Sequence, residues 1–377
     1  MQDQALQVGY CTNVHAGNSL EETLQNLERH AVAVARSLGN DRLGVGLWLP
    51  ESTAREVIEN EGARRLRDRL DSMGLHVFTL NGFPQGNFHA EVVKHAVYVP
   101  QWNTAERFEY TMHLAGILAD LLPDDLQEGS ISTLPLGWRA GFKGLDESVN
   151  RLIETAEELA RLEDRTGKLI HVDLEPEPGC VLDTADDVIE LFDRLPERTR
   201  RHLRVCHDVC HSAVMFEPQQ AAIEAYRSAG ISVGKIQVSA CPEVDFDKLE
   251  EDQRTEAMAQ LRSFVEPKYL HQTTVRNGEG GTSFHQDLPE ALEAHGPTGR
   301  WRVHFHVPVF ARSLGLIGTT QGEIGACFEA FEEDLPMLEV ETYAWGVLPE
   351  GLFREDLAEG IAEELRFTRT LLEEDPG

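Results

Sequence analysis

Four short segments place acidic or amide side chains where apolar runs end: HVDLEPEPG (171–179), VCHDVCH (205–211), KIQVS (235–239) and VETYAW (340–345). An ionised carboxyl group at the end of an apolar strand is costly unless it is paired or holds a cation. Glu175, Asp208 and Glu341, with the amide oxygen of Gln237, form a hard, oxygen-rich donor set that suits Mg²⁺ or Mn²⁺ over a softer metal. The plainer alternative is a group of strand ends whose carboxylates pair with arginine. Asp173 adds a further carboxylate, and Asn13, Asn81, His211 and His306 add neutral polar groups. VCHDVCH also carries Cys206, Cys210 and two histidines, donors that zinc accepts. In a strand ending at 208, however, Cys206 and Asp208 share one face and His207 takes the other. A structural zinc site also wants a second Cys or His pair at comparable spacing, so Zn²⁺ is the secondary choice.

Other residues could contact a substrate. Lys235 precedes Gln237 by two and points the same way. His304 and His306 share a face of WRVHFHV (301–307), where ligand, substrate contact and core histidine are all open. His15 and His89 sit in the glycine-containing loops YCTNVHAG and NGFPQGNFH, where a substrate contact and an exposed turn histidine are both open. Aromatic residues in FPQGNFH and WRAGFKG could wall or cover a site, although ordinary packing explains them as well. The one G-x-S-x-G match, GISVG (230–234), leads into a strand run and does not follow one, so it makes no nucleophile elbow, and there is no P-loop; covalent serine catalysis and nucleotide hydrolysis have no support.

These groups act together only if the fold brings strand ends to one place. Nine β-branched-rich runs read as strands: 6–11, 42–49, 76–83, 130–137, 168–175, 203–208, 233–239, 301–307 and 338–344. Between them lie amphipathic helices at 20–39, 51–74, 106–122, 146–167, 184–195 and 219–230, and a last one closes the chain at 354–374. The first begins after Ser19 with Glu22 three residues on, a capping box, and ends at Gly39. Strands joined by crossover helices make parallel sheets. The repeat fits a single α/β domain over 1–377, a (β/α)8 TIM barrel. A doubly wound dinucleotide fold would carry G-x-G-x-x-G after its first strand, and none is there. Nine runs exceed eight. The stretch 240–300, rich in charge, Gly and Pro, reads as an insertion after strand seven that partly covers the C-terminal face, with WRVHFHV as an added strand; the other reading makes WRVHFHV a barrel strand and removes one of the others. In such a barrel the active site lies at the C-terminal ends of the strands.

The 377 residues include 34 Lys and Arg against 65 Asp and Glu, a net charge of −31. That balance argues against nucleic-acid binding, which relies on Lys and Arg at phosphates, and so against a phosphodiester-cleaving barrel. No apolar run is long enough to span a membrane. The start has neither a basic nor an apolar signal region. Six cysteines in a chain this long fit a reducing cytoplasm, and no oligomeric state is implied.

HVDLEPEPG, Asp208-x-x-His211, KIQVS and VETY together resemble the xylose-isomerase-like sugar isomerase/epimerase superfamily. The resemblance implies a (β/α)8 barrel with a Glu, Asp, His-or-Gln, Glu metal site on the last four strands. Gln237 matches the variant of the hydroxypyruvate-isomerase branch and departs from the commoner His. The resemblance implies that Glu175 and Glu341 are both ligands and the acid/base pair, and that His211 contacts a polyhydroxylated small-molecule substrate, with His306 assisting. A narrower resemblance runs from about residue 8 to 350. GYCTNVHAGNSLEETL, FTLNGFPQGNFH, SISTLPLGW, CHDVCH and RVHFHVPVF are similar to the bacterial metabolite-traffic family EboE. That family is encoded beside a prenyltransferase-like membrane protein, a TatD-like hydrolase and a dehydroquinate-synthase-like cyclase. It implies a secondary-metabolite setting and membrane-protein partners. Two functions follow: an isomerase or epimerase of a ketose or cyclitol ketone, or a carrier that kept the pocket and lost turnover.

Overall fold

A computed structural model describes residues 6–59, 62–331, 334–349 and 356–373. Eight parallel strands close into a barrel: β1 (Val8–Cys11), β2 (Leu43–Trp48), β3 (Leu75–Asn81), β4 (Glu128–Thr133), β5 (Leu169–Leu174), β6 (Leu203–Asp208), β7 (Val233–Val238) and β8 (Met337–Val340). Closure is made by β1 on β8, with Val8 opposite Leu338 and Tyr10 opposite Val340. Helices pack around the outside. Their apolar faces and the outward residues of the strands, such as Ile170, Val172 and Leu174, form the main core.

Eight of the nine expected strands are barrel strands, and WRVHFHV is the added one. It contributes Arg300–Val303 to a second, six-stranded antiparallel sheet between β7 and β8. The spatial order of that sheet is Thr282–His285, Thr273–Arg276, Arg300–Val303, Pro242–Asp245, Ile317–Thr319, Ser313–Leu314. The insertion therefore reaches past 300, to Thr319, and has its own helices at Glu251–Arg262 and Leu288–Ala294. The expected helix 51–74 is two, Glu51–Glu59 and Gly62–Ser72, with 60 and 61 outside the described residues. The last helix runs Leu357–Glu373; residues 354, 355 and 374 of the expected span lie outside the described residues. At the first helix Ser19 Oγ accepts from the Glu22 N–H, while the Glu22 carboxylate reaches back to the Asn18 N–H.

Inward residues recur with period two and stack in layers down the barrel. In the middle layer Lys235 Nζ lies 2.6 Å from Glu339 Oε2 and 3.0 Å from Ser132 Oγ, both charged groups fully buried. Burial alone would lower the ammonium's proton affinity, but Glu339 more than reverses this and keeps Lys235 charged. Beside it, Asp173 accepts from Ser130 Oγ at 2.6 Å and bonds His171 Nδ1 at 2.6 Å. The next layer up, two residues further along each strand, holds Glu175, Gln237 and Glu341.

Two glycines make room for this polar layer. A Cβ at Gly46 would overlap the Glu339 carboxylate, and one at Gly234 would stand 2.5 Å from both Asp173 oxygens. Breaking a buried pair costs about 3–5 kcal/mol. Gly46→Ala is thus expected to destabilise the protein by about 3 kcal/mol or more in urea denaturation. The control Gly116→Ala, in the helix Ala105–Leu121 with nothing within 4 Å of the added carbon, should be neutral or stabilising by up to about 1 kcal/mol.

Candidate active site at the barrel mouth

Each of the four expected ligands is set by its own strand end. Glu175 follows β5, its N–H bonded to Thr133 O at 3.0 Å. Asp208 ends β6 and caps the short helix Val209–Val214; its Oδ1 accepts from the His211 N–H at 2.9 Å and from Ser239 Oγ at 2.7 Å. Gln237 lies on β7 in register with Asp208. Glu341 follows β8, and its Oε1 accepts from Asn13 Nδ2 at 2.6 Å and Asn81 Nδ2 at 2.9 Å. Carboxylate oxygens of Glu175, Asp208 and Glu341 all stand within 4.8 Å of one another, and all three groups are buried.

The electrostatics of this cluster follow from burial. Desolvation, then the neighbouring Glu341 and Asp208 charges, push Glu175 well above the usual carboxylate range. Desolvation and then Asp208 push Glu341 up to about 8. Burial would raise Asp208 too, but His211, His306 and its hydrogen bonds from the His211 N–H and Ser239 outweigh that and hold it low. Among the described residues, Glu175 Oε2, Asp208 Oδ2 and both amide atoms of Gln237 are buried without a hydrogen-bond partner. A buried amide with neither atom satisfied is rare. Three close carboxyl groups and an amide oxygen, with donor atoms left bare, fit a divalent cation bound through oxygen.

The remaining candidates divide. His211, His304 and His306 face the same floor, with His306 Nε2 3.7 Å and His211 Nε2 3.8 Å from Asp208 Oδ2. Asn13 and Asn81 line the pocket and hold Glu341 in place. Lys235, expected to reach a substrate, is instead spent on Glu339 and Ser132 one layer below the pocket. His15, expected at the mouth, turns away from it. It bonds Tyr10 Oη at 3.1 Å and stacks on His30 at 4.5 Å, outside the pocket lining. His89 Nε2 bonds the Asn13 carbonyl at 2.7 Å and so supports that residue.

Glu177 is a pocket residue not singled out in the sequence. Its Oε1 accepts from Tyr98 Oη at 2.7 Å and Gln272 Nε2 at 2.8 Å, and burial, opposed by these bonds, lifts it to about 7. The signal was present as the second acid of EPEP, and Tyr98 and Gln272 had none. Phe83 and Phe88 of FPQGNFH, with Tyr269 of the insertion and Tyr343, wall a space of about 540 Å³ including its opening.

No protein-family model matches the chain, and no curated protein matches it. Solved structures do. A xylose isomerase-like TIM barrel protein from Mycobacterium smegmatis in complex with magnesium aligns over 98% of this chain and 97% of its own, at 11% identity and a TM-score of 0.54. The probable 3-DHS dehydratase AsbF involved in petrobactin synthesis, from Bacillus anthracis, aligns over 97% of this chain and 99% of its own, at 14% identity and a TM-score of 0.51. At these identities the likeness is one of fold, and the fold is the xylose-isomerase-like TIM barrel. Among the described residues no helix is long and apolar enough to cross a membrane.

Raised carboxyl groups make cation-free stability depend on pH. Glu341, at about 8 in the folded chain against an ordinary 4.5, holds a proton that the unfolded chain has lost. Its contribution is fully present below about pH 4.5 and is lost as pH rises through about 8. The melting temperature in chelator is therefore expected to fall between pH 5 and 8.5 on a fluorescence melt. Saturating Mn²⁺ should flatten that fall, and calorimetry at pH 7 in buffers of different ionisation enthalpy should show proton release on binding.

Proposed function

We propose that this protein is a divalent-metal-dependent isomerase or epimerase of a polyhydroxylated carbonyl compound, a ketose or cyclitol ketone of a secondary-metabolite pathway. The observation that carries the reading is the convergence of three buried carboxyl groups, Glu175, Asp208 and Glu341, at the barrel mouth. The motif resemblance to the metabolite-traffic family supports the pathway setting, and the names of the fold neighbours are compatible with it.

Proton removal next to a carbonyl needs a base whose affinity lies near the working pH, and return on the other side needs an acid. Glu341 is placed for the first need, its Oε1 pinned by Asn13 and Asn81. Glu175, with Oε2 unpaired, meets the second. Glu177 and Tyr98 present polar atoms to a substrate hydroxyl, and Phe83, Phe88 and Tyr343 shield the site from water. Glu175, Asp208, Gln237 and Glu341 would hold the divalent ion, which when bound polarises a carbonyl oxygen and stabilises the negative charge that develops on it.

Incubation with Mn²⁺ and a panel of ketoses and cyclitol ketones in D₂O is expected to place deuterium on the carbon beside the carbonyl, read by NMR. Glu341→Gln should keep the fold and slow exchange by about 10²–10⁴. A protein that binds a panel member without exchange, or Glu175→Gln and Glu341→Gln variants that both exchange at the wild-type rate, would replace this reading by the carrier that passes a metabolite to a membrane partner.

A further inference from the structure

The pocket at the barrel mouth has two chemically different parts. Its carboxyl groups and imidazoles come from strand ends and from the crossover after Val303. Much of the remaining wall comes from the loop after β3, through Phe83, Phe88, Val93 and Val97, and from the insertion, through Tyr269 and Leu270. Loop and insertion are tied together: the Val93 and Lys94 N–H groups both donate to the Lys268 carbonyl, at 2.8 and 3.0 Å. The rings of Phe88, Tyr269 and Tyr343 stand 5.0 to 5.4 Å from one another. Behind this wall lies a surface cleft of about 330 Å³ that shares Pro84, Phe88, Val93 and Val97 with the pocket, and no charged side chain lines it. The loop is therefore apolar on both sides.

The charge of the pocket is equally one-sided. Glu175, Glu177 and Glu341 line it, in a chain whose net charge is −31. Lys94 is the one ammonium among the described lining residues, and its Nζ lies 2.5 Å from Asp287 Oδ2. Lys268 is not in the lining; its Nζ lies over the Tyr269 ring, 4.9 Å from the centroid. The imidazoles are also engaged. His306 Nδ1 donates to the Glu341 carbonyl, His211 Nδ1 to that of Pro176, and the Nε2 atoms of His211 and His304 turn on each other at 3.2 Å. The amides of Asn13 and Asn81 serve Glu341, and the Tyr98 and Tyr269 hydroxyls serve Glu177 and the Phe88 carbonyl. A phosphate or carboxylate lying against the wall would lose its water and meet apolar carbon and negative charge in return. Hydroxyl groups near the carboxylates would find acceptors, and carbon against the wall would gain by leaving water.

We infer that the pocket takes a neutral, two-ended substrate: a carbonyl with adjoining hydroxyls at the carboxylates, and an aryl or alkyl substituent against the wall of Phe83, Phe88, Val97 and Tyr269, with no phosphate or carboxylate on that end. Which end holds the carbonyl rests on the isomerase reading; the charge and the apolar end do not.

The test uses the whole chain loaded with Mn²⁺ and reads binding by calorimetry. Several ketohexoses and an inosose are each offered in three forms: free, as a monophosphate, and as a mono-O-benzyl ether at the same hydroxyl, remote from the carbonyl. The benzyl ether is expected to bind about 10–100-fold more tightly than the free compound, and the phosphate at least about tenfold more weakly than the ether. Val97→Arg, checked for folding by circular dichroism, should weaken the ether and strengthen the phosphate. The wild-type comparison needs no variant. A phosphate that outbinds its benzyl ether, or a benzyl group that adds no affinity to any of the compounds, would overturn the assignment. Benzyl ethers that bind tightly without exchanging deuterium would keep it and remove the isomerase instead, whereas exchange on free ketoses with no gain from the benzyl group would do the reverse.

Discussion

Everything at the mouth of this barrel answers to one constraint: three carboxyl groups share a dry space a few ångströms across. Water cannot dilute their repulsion there, and the nearest ammonium, on Lys235, is already matched by Glu339. The chain meets the constraint by several means. Asn13 and Asn81 direct amide hydrogens at Glu341, Ser239 and the His211 N–H do the same for Asp208, and protons remain on the two glutamates. The result is stable enough to fold and charged enough to attract a cation. Chemistry and stability draw on the same atoms.

The layer below shows how this is supported. Lys235, Glu339, Asp173 and His171 are as buried as any leucine, and the glycines at 46 and 234 exist for their carboxylates. Each inward side chain of the upper layer thus rests on a neighbour two residues earlier that cannot move without breaking a buried ion pair or hydrogen bond. Rigid support of this kind keeps catalytic geometry within the small tolerance that proton transfer demands.

Much of this was legible before any coordinates, for a physical reason. Barrel strands alternate with period two, so a carboxylate among valines and leucines at a strand end announces both its face and its height, as Glu175, Asp208 and Glu341 did. Within a strand, period two gives the face alone, which is why Lys235, two residues before Gln237, read as a substrate contact while lying one layer too low. Loop position gives the end of the barrel but not the ring's direction, so His15 was placed at the mouth although it turns outward onto His30. Apart from WRVHFHV, the strands of the inserted sheet were illegible because they are two to four residues long and one, Thr282–His285, is mostly exposed, leaving no pattern to read. Glu177 was hidden for a different cause: its partners Tyr98 and Gln272 lie far away in sequence.

The pairing of β1 with β8 joins Val8 to Leu338, across nearly the whole chain. Such contacts carry the largest loop-closure entropy and form late when a chain folds. Asn13 comes from one side of that seam and Glu341 from the other, and His306 is anchored on the Glu341 carbonyl. A chain in which β8 is not yet docked has a mouth that lacks Glu341 and the carbonyl that anchors His306. The reactive centre comes into being with the final seam, so a truncated or half-folded copy exposes carboxylates without ever assembling the pocket that gives them a use.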